Sequence, residues 1–516
     1  MRFLFAVLMA AMPVWAQPAG LDAWVERARA TFDVPGIAVA IVKDGKPVVL
    51  KGYGVRRLGD AAAVDAKTLF GIASNTKAFT AAALAILVDE GKVRWDDPVQ
   101  KHLPSFQLAD ALVTRELTVR DLLCHRSGLG LGAGDLLYWP DTKFTRDQVL
   151  AAARHIAPAS SFRSRYAYNN LMFVVAGEVV RAASGLSYDE FVKQRIFAPA
   201  GMKSSRITSV GLGGGENFAA PHSRGWRLEG APLQPIAMTK DDTWAAAAGV
   251  RSNVEDLARW VGVQLGRGEM EGGKRLFSEA ASREMWAPQT IIAVSDPPAA
   301  LAATKANFAA YGLGWSLRDY KGRKLVSHGG ALTGMVSRTL LVPEEGLGIV
   351  ILTNQEESAA MASIEYHILD HYLQLPAADW IGLYAQQREE RMKRAREAEQ
   401  KQEQARRKDT RPSLEWAKYA GAYQDGWYGK VSVKEAGGKL TLDFEQTPGM
   451  VADLAHWHHD TFKAVFRDTT IPDAWVTFAI DRRAEVSEIR MEATSPLADF
   501  SFDYQDLTLR RQRSGR

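Results

Sequence analysis

Strand-like segments lie on both sides of a long helical region in this chain. The first, GIAVAIVKDGKPVVLKGYGV at 36–55, has apolar runs on both sides of Asp44-Gly45, a dipeptide typical of tight hairpin turns. Strand patterns return after Tyr311, in WSLRDYKGRKLVSHGG and SRTLLVPEEGLGIVILTN. Between about 75 and 285, apolar residues recur at helical spacing and are interrupted by loops with Gly and Pro. This order predicts an α+β domain whose antiparallel sheet is built from its two ends.

The sequence changes character twice after this domain. A charged run at 385–412 lacks an apolar stripe, which predicts a solvated helical linker. From Ser413 onward, short segments alternate apolar and polar residues, as in GKVSVKEAGGKLTLDF around Gly437-Gly438. This alternation predicts a small all-β barrel at 413–516. The expected organisation is therefore an α+β domain at 17–384, followed by the linker and the barrel.

Residues 1–16 have the pattern of a secretory signal peptide. Arg2 precedes an apolar run, and Val14-Trp15-Ala16 fits a cleavage site before Gln17. We therefore expect an exported protein, periplasmic or secreted, with no membrane contact after cleavage; an uncleaved anchor is the alternative. The single cysteine, Cys124, excludes an internal disulfide. A net charge of only +4, without a basic stripe, gives no support for nucleic acid as a partner.

Ser74 and Lys77 stand at the start of a long apolar helical pattern. Two readings are open: Ser74 caps the helix and Lys77 is solvated, or the two residues form a catalytic pair. Residues three apart share one helix face, so the lysine can reach the serine hydroxyl. A desolvated lysine has a lowered pKa and can act as a base. The chain contains no G-x-S-x-G motif that would favour another class of serine hydrolase.

Two further short motifs allow similar pairs of readings. Tyr168-Asn169-Asn170 precedes an apolar helical segment, where Asn170 could simply cap the helix. His328-Gly329-Gly330 lies at a strand end, where it could simply form a hairpin turn. Each motif alone is weak support for chemistry.

Taken together, Ser74-x-x-Lys77, Tyr168-x-Asn170 and His328-Gly329-Gly330 resemble the active-site motifs of the serine β-lactamase and penicillin-binding protein superfamily. The likeness is closer to the branch of class C β-lactamases, D-aminopeptidases, D-Ala-D-Ala carboxypeptidases and esterases. It covers about 30–375, and the tail resembles the lipocalin-like barrel that some members carry. The resemblance implies a β-lactamase/transpeptidase-like fold, with an antiparallel sheet flanked by helices and a helical subdomain.

The resemblance also implies roles for the motif residues. Ser74 would be the nucleophile, Lys77 its base, and Tyr168 a relay that passes a proton to the leaving group. Asn170 would hold Lys77 and a substrate amide. No metal or other cofactor is implied.

The third motif is expected to bind substrate. The backbone N–H groups of Ser74 and Ala331 would form an oxyanion hole, while Gly329 and Gly330 let substrate lie along the strand edge. His328 replaces the lysine of other branches. Because an unperturbed histidine has a pKa of about 6.5, it would be mostly neutral near pH 7 and would attract acidic substrates only as the pH falls.

Two histidine patterns suggest metal sites but lack complete ligand sets. The segment HWHHD at 456–460 contains H-x-H-x-D without the histidine that should follow. His367 and His371 share a helix face, but no glutamate completes an H-E-x-x-H motif. We therefore expect no metal at either place.

The sequence thus predicts an exported serine hydrolase that forms an acyl-enzyme on Ser74. Its expected substrates are small peptides or amides, first of all peptides with D-residues, and peptidoglycan fragments belong to this class. A carboxylesterase or weak β-lactamase using the same site is the first alternative. A binding protein with a vestigial site, holding a ligand or peptidoglycan, is the alternative from another class.

Overall fold

Two large β-sheets organise the chain, as shown by a computed structural model that describes residues 17–207, 216–227, 231–239 and 243–512. The proposed signal peptide at 1–16 lies outside the described residues. The strands of the N-terminal domain are β1 (Gly36–Lys43), β2 (Lys46–Gly54), β3 (Phe70–Gly71), β4 (His222–Ser223), β5 (Gln234–Pro235), β6 (Arg251–Ser252), β7 (Thr290–Ile291), β8 (Ala309–Tyr311), β9 (Ser316–Tyr320), β10 (Arg323–Leu332), β11 (Met335–Val342) and β12 (Leu347–Thr353).

Eight of these strands form one antiparallel sheet, in the order β2-β1-β12-β11-β10-β9-β8-β7. Strand β1 therefore pairs with both its hairpin partner β2 and the distant β12. Strands β3 and β6 form a separate pair, as do β4 and β5. The expected α+β fold, with a sheet made from both ends of the domain, is confirmed.

Helices cover both faces of the sheet. The α-helices of the described chain are α1 (Leu21–Thr31), α2 (Thr76–Asp89), α3 (Val99–His102), α4 (Ala111–Glu116), α5 (Val119–Leu122), α6 (Arg146–Ala152), α7 (Leu171–Ser184), α8 (Tyr188–Val192), α9 (Ala245–Ala248), α10 (Val254–Leu265), α11 (Glu279–Met285), α12 (Ser358–Tyr372), α13 (Trp380–Ala405) and α14 (Trp416–Tyr419), the last of which contacts the C-terminal strands. In β1, Ile37 and Val39 belong to the core under α1 and α12, while Ala38 and Ala40 belong to the core that includes α10. Burial on both faces explains why β1 is continuously apolar.

Helix α2 lies at the centre of the helical layer, where residues from Thr76 to Leu87 are buried. It contacts α7, α9 and α11. A helix that is apolar all round requires such surroundings. Within the described ranges, no single helix is long and apolar enough to cross a membrane; the bent pair Leu171–Ser184 and Tyr188–Phe197 passes on length and composition only.

The C-terminal strands close into an eight-stranded barrel. They are β13 (Gly421–Asp425), β14 (Gly429–Ala436), β15 (Lys439–Asp443), β16 (Val451–His458), β17 (Thr461–Phe466), β18 (Ala474–Ile480), β19 (Val486–Ala493) and β20 (Leu509–Arg511). In β17, Phe462, Ala464 and Phe466 are buried and alternate with half-buried residues, which is the alternation expected of a small filled barrel. The predicted barrel is confirmed.

The charged segment at 385–412 is largely exposed and is helical as far as Ala405, while its role as a linker between domains stays a prediction. The helix that contains it, α13, begins at Trp380, and its residues Trp380, Ile381 and Ala395 are buried. Arg388 forms an ion pair with Glu357 at 2.8 Å. A few buried residues and the ion pair of Arg388 thus attach α13 to the N-terminal domain, without a continuous apolar stripe.

The barrel docks on loops of the N-terminal domain. Trp226 Nε1 donates to the Thr470 carbonyl at 2.7 Å, and Lys143 N donates to the Gln446 carbonyl at 2.8 Å. The loop at Gly132 approaches so closely that an added Cβ would lie 2.6 Å from the Phe500 carbonyl oxygen. Both domains therefore contribute to the surface around this loop.

Candidate active site

The 3₁₀ turn Ala73–Asn75 places Ser74 immediately before α2. Lys77 lies in the first turn of α2, and its Nζ is 2.9 Å from Ser74 Oγ. Neither the turn nor α2 uses a side-chain cap, so the capping role considered for Ser74 is not observed. Ala73 has a φ of 48°, a left-handed conformation that is uncommon for residues other than glycine. Such strain is often found next to functional residues.

Lys77 is completely buried. Its Nζ is within hydrogen-bonding distance of three oxygens: Ser74 Oγ, Asn170 Oδ1 at 2.7 Å and the Ala247 carbonyl at 3.0 Å. Burial lowers the pKa of Lys77 to about 7, against the opposing charge of Asp135. A large fraction of Lys77 is therefore neutral near pH 7, as a base must be.

The two asparagines of the second motif, Asn169 and Asn170, have different contacts. Asn169 Oδ1 accepts from the Met172 N–H at 3.2 Å and so caps α7. Asn170 makes no cap. Its Oδ1 accepts from Lys77, and its Nδ2 donates to Asp135 Oδ2 at 2.8 Å. The amide thus connects the lysine to a carboxylate.

Tyr168 lies against the same lysine. Lys77 Nζ is 4.9 Å from the centroid of its ring. Burial raises the pKa of the Tyr168 phenol, and a hydrogen bond with Ser74 only partly opposes that rise. The phenol therefore remains protonated and can pass on a proton without first becoming a phenolate.

His328 is placed differently from its expected role as a sensor of substrate charge. Its side chain is buried, with Nδ1 donating to the Gly329 carbonyl at 2.5 Å and Nε2 accepting from the Tyr311 hydroxyl at 2.7 Å. Burial, reinforced by the nearby Lys77, lowers the pKa of His328 to about 3. It therefore stays neutral in mild acid. The ring lies 6.3 Å from that of Tyr168, a position suited to holding the strand and the tyrosine.

The glycines of the third motif differ in their surroundings. A Cβ on Gly330 would lie 2.2 Å from the Ile72 carbonyl oxygen and 2.9 Å from Ala73 Cβ. Only glycine lets β10 cross the serine-bearing turn at this distance. A Cβ on Gly329 would meet nothing nearer than 3.8 Å. Ala331, which follows, lines the same cavity as Ser74.

Asp135 is a site residue that the sequence analysis missed. Its buried carboxylate accepts hydrogen bonds from the Tyr138 hydroxyl at 2.5 Å, from Asn170, and from Ser501 Oγ of the barrel domain at 2.8 Å. Burial raises the pKa of Asp135 to about 6. No local pattern marks this aspartate, because it lies in the short 3₁₀ turn Asp135–Leu137 and its partners Asn170 and Ser501 are remote in sequence.

Asp503 is a second buried carboxyl from the barrel domain. It accepts from the Gly134 N–H at 2.7 Å and the Leu136 N–H at 3.3 Å. Burial raises its pKa. Asp503 thus fixes the loop that carries Asp135.

A cavity of about 540 Å³ lies next to this cluster. Ser74, Asn170 and Ala331 lie on its wall, together with Trp139, Trp226 and Phe502. The last of these belongs to the barrel domain. The volume is in the range of small-molecule sites and accommodates a short peptide or amide.

The histidine patterns considered as metal sites have other contacts. His456 Nε2 lies 3.0 Å from the His459 carbonyl, and the His367 ring stacks on Trp24 at 4.1 Å. Within the described parts of the chain, no group of three or more His, Cys, Asp or Glu side chains could hold a metal ion.

Comparison with known families identifies the N-terminal domain. The family model "Beta-lactamase" matches residues 21–373, and a domain of unknown function (DUF3471) matches 405–511. The chain belongs to the beta-lactamase family. This membership confirms the predicted superfamily, while the closer branch with a His-Gly-Gly motif remains a prediction.

Relatives of this beta-lactamase family member include two fungal proteins described as unguisins hydrolases. The one from Aspergillus campestris is 29% identical over 71% of this chain and 68% of its own length. The one from Aspergillus violaceofuscus is 27% identical over 67% of this chain and 63% of its own length. Protein flp of Staphylococcus aureus strain NCTC 8325 / PS 47 is 24% identical over 71% and 70%. Together with the family, these relatives support a serine hydrolase in general.

The fold also resembles a solved structure over most of the chain. An octameric penicillin-binding protein homologue from Pyrococcus abyssi aligns with a TM-score of 0.60 and 23% identity, over 93% of this chain and 98% of its own. This likeness concerns the fold alone.

Proposed function

We propose that this protein is a serine hydrolase that forms an acyl-enzyme on Ser74 through a Ser-x-x-Lys mechanism. One observation carries the proposal: Lys77 Nζ lies 2.9 Å from Ser74 Oγ while burial holds the pKa of Lys77 at about 7. A lysine that served only as a solvated charge on the helix would keep its ammonium group in water and would not be fully buried against a serine hydroxyl.

The first chemical step is attack of Ser74 Oγ on a carbonyl carbon. Neutral Lys77 takes the hydroxyl proton as the bond forms, and the N–H groups of Ser74 and Ala331 stabilise the oxyanion. When the tetrahedral intermediate collapses, the proton passes through the Tyr168 phenol to the leaving amine or alcohol. Water then attacks the acyl-enzyme, gives its proton to the same base, and releases the acid and free Ser74.

Peptides or amides with D-residues are the proposed first substrate class, with short esters and β-lactams as weaker ones. The family membership and the hydrolase relatives support hydrolysis in general. A binding protein with a vestigial site is the second candidate, but the hydrogen bonds that join Ser74, Lys77 and Asn170 oppose it. The signal-like pattern at 1–16 supports export, which N-terminal sequencing of the mature protein would test by finding Gln17 first.

A covalent probe tests the proposal directly. A fluorophosphonate should add one mass to the wild type, located on the peptide that contains Ser74. Ser74→Ala should abolish labelling and the turnover of amino-acid p-nitroanilides (D and L), p-nitrophenyl esters and a chromogenic cephalosporin. Lys77→Ala should be nearly as damaging, because residues that act as a unit fail together.

The matched control is Ser105→Ala, which changes an exposed serine. It should label and turn over like the wild type. Turnover that persists in Ser74→Ala would contradict the assignment of the nucleophile.

A further inference from the structure

One face of α13 borders the cavity that contains Ser74. Arg388, Met392 and Arg396 follow one another at four-residue intervals, and Arg391 lies three residues after Arg388, so all four side chains share one face. All four line the cavity. The helix described by sequence as a solvated linker thus presents three arginines to the site.

These arginines differ in their partners among the described residues. Arg388 forms its ion pair with Glu357, a carboxylate that also accepts from the Ala359 N–H. In the part of the chain that the structure describes, Arg391 and Arg396 form no ion pair, and both side chains are exposed. As far as the described residues show, two guanidinium groups are therefore available to a molecule in the cavity.

The other arginines of the cavity wall have partners. Arg224 faces Asp33 at 3.4 Å, and Arg227 faces Asp473 at 3.4 Å. Among the residues that the structure describes, Arg224 and Arg227 thus form ion pairs within the fold, unlike Arg391 and Arg396 of α13.

The carboxyl groups of the cavity wall also have partners. Asp135 accepts three hydrogen bonds. Glu356 accepts from the Ser223 hydroxyl and from the Gly334 N–H at 2.8 Å, and burial raises its pKa. Asp499 accepts from the Ser501 N–H at 2.9 Å and belongs to the barrel domain. None of these groups forms an ion pair with Arg391 or Arg396.

We propose that Arg391 and Arg396 form a subsite for an anionic group of the substrate, such as a carboxylate remote from the scissile carbonyl. The inference rests on the proposed function, since it names the substrate class of the same site. Guanidinium groups match carboxylates in geometry and charge. His328 cannot supply this charge, because it is buried and neutral. Recognition of an acidic substrate therefore falls to α13, on a different wall of the cavity.

A series of paired esters tests this subsite. The substrates are p-nitrophenyl hemiesters of linear dicarboxylic acids from adipate to sebacate, each compared with its methyl ester, so that only the remote charge differs. The ratio of kcat/KM for acid over methyl ester should be highest at one chain length. At that length, Arg391→Gln together with Arg396→Gln should lower the ratio by about tenfold, a few-fold for each exposed arginine.

Arg394→Gln is the matched control, because it removes the same charge from an exposed position of α13 that does not line the cavity. It should leave the ratio close to the wild-type value. Raising the ionic strength should lower the wild-type ratio, since solvent-exposed charges are screened. An equal ratio in wild type, the double variant and the control overturns the subsite.

Direct titration with the free dicarboxylates separates this inference from the proposed function. Weaker binding to the double variant than to wild type and Arg394→Gln supports the subsite even if no ester is turned over, in which case only the hydrolase proposal fails. The opposite outcome is ester turnover in which wild type, the double variant and Arg394→Gln bind the dicarboxylates equally and have equal ratios of kcat/KM for acid over methyl ester. That result supports the hydrolase proposal and overturns the subsite.

Discussion

Lys77 is fully buried, and its Nζ contacts Ser74, Asn170 and the Ala247 carbonyl. Two opposite influences act on its proton. Burial disfavours the ammonium form, whereas the Asp135 carboxylate favours it. Burial is the larger influence, so the pKa of Lys77 is lowered to about 7. At the residue scale, this balance decides at which pH a base is available.

The pH dependence of kcat/KM should follow the neutral form of Lys77. Activity should rise with pH and reach half its plateau near pH 7, the pKa of the free enzyme's base. Asp135→Asn removes the charge that favours the ammonium form, so the midpoint should move to lower pH, by up to about one unit.

Asp60→Asn, an exposed position, is the control and should keep the wild-type midpoint. A midpoint that stays fixed in Asp135→Asn, or moves to higher pH, would contradict the assigned coupling between Asp135 and Lys77.

At the scale of elements, strand β10 and the turn Ala73–Asn75 hold the site in shape. Ser337 Oγ, on the neighbouring strand β11, donates to the Ile72 carbonyl at 2.7 Å, and Asn75 Nδ2 donates to Ser337 Oγ at 2.8 Å. Gly330 allows this close contact. Gly330 thus helps to position the serine-bearing turn through close packing, separately from any contact with substrate.

Gly330→Ala should be strongly destabilising and should reduce turnover, because its Cβ would overlap the backbone of the turn. The expected loss in free energy of unfolding is about 1–3 kcal/mol, as for other overpacked sites. Urea denaturation and kcat/KM measure the two effects.

Gly329→Ala is the matched comparison on the same strand. Since its added Cβ has no neighbour within 3.8 Å, its free energy of unfolding should change by less than about 0.5 kcal/mol. Equal losses of stability in the two variants would show that the contact of Gly330 with the turn is unimportant.

At the scale of the whole molecule, the barrel is part of the site's surroundings. Ser501 and Asp503 reach the loop that carries Asp135, and the Phe500 ring lies 5.8 Å from that of Tyr168. A series of hydrogen bonds therefore runs from Ser74 through Lys77, Asn170 and Asp135. It ends on Ser501, a residue of the barrel domain. Loss of the contacts between the barrel and this loop should therefore lower the rate of reaction at Ser74.

Asp503→Ala should lower both activity and the stability of the docked barrel. It leaves the N–H groups of Gly134 and Leu136 buried without an acceptor, at a cost of about 1–3 kcal/mol. Thermal unfolding and kcat/KM in the variant measure the two consequences. Asp506→Ala removes a nearby exposed carboxylate and should change neither. Full activity in Asp503→Ala would mean that the loop keeps its shape without the hydrogen bonds that Asp503 accepts.

The sequence by itself determined the parts that depend on local pattern. Alternation and the Asp44-Gly45 turn predicted the strands and the first hairpin, and the order of three short motifs predicted the superfamily. The spacing of Ser74 and Lys77 predicted their contact, because residues three apart on a helix are neighbours whatever surrounds them.

Only the tertiary structure decided what surrounds those motifs. Asp135 and Ser501 meet although they are 366 positions apart, and no periodicity encodes such a contact. His328 is neutral because packing buries it beside Tyr311, whereas its sequence position suggested a group that titrates near pH 6.5. Helix α13 looked solvated because its pattern is polar, yet its attachment through Trp380 and Glu357 turns its arginines toward the cavity. Burial and long-range contact set these properties, and both arise only when the whole chain is folded.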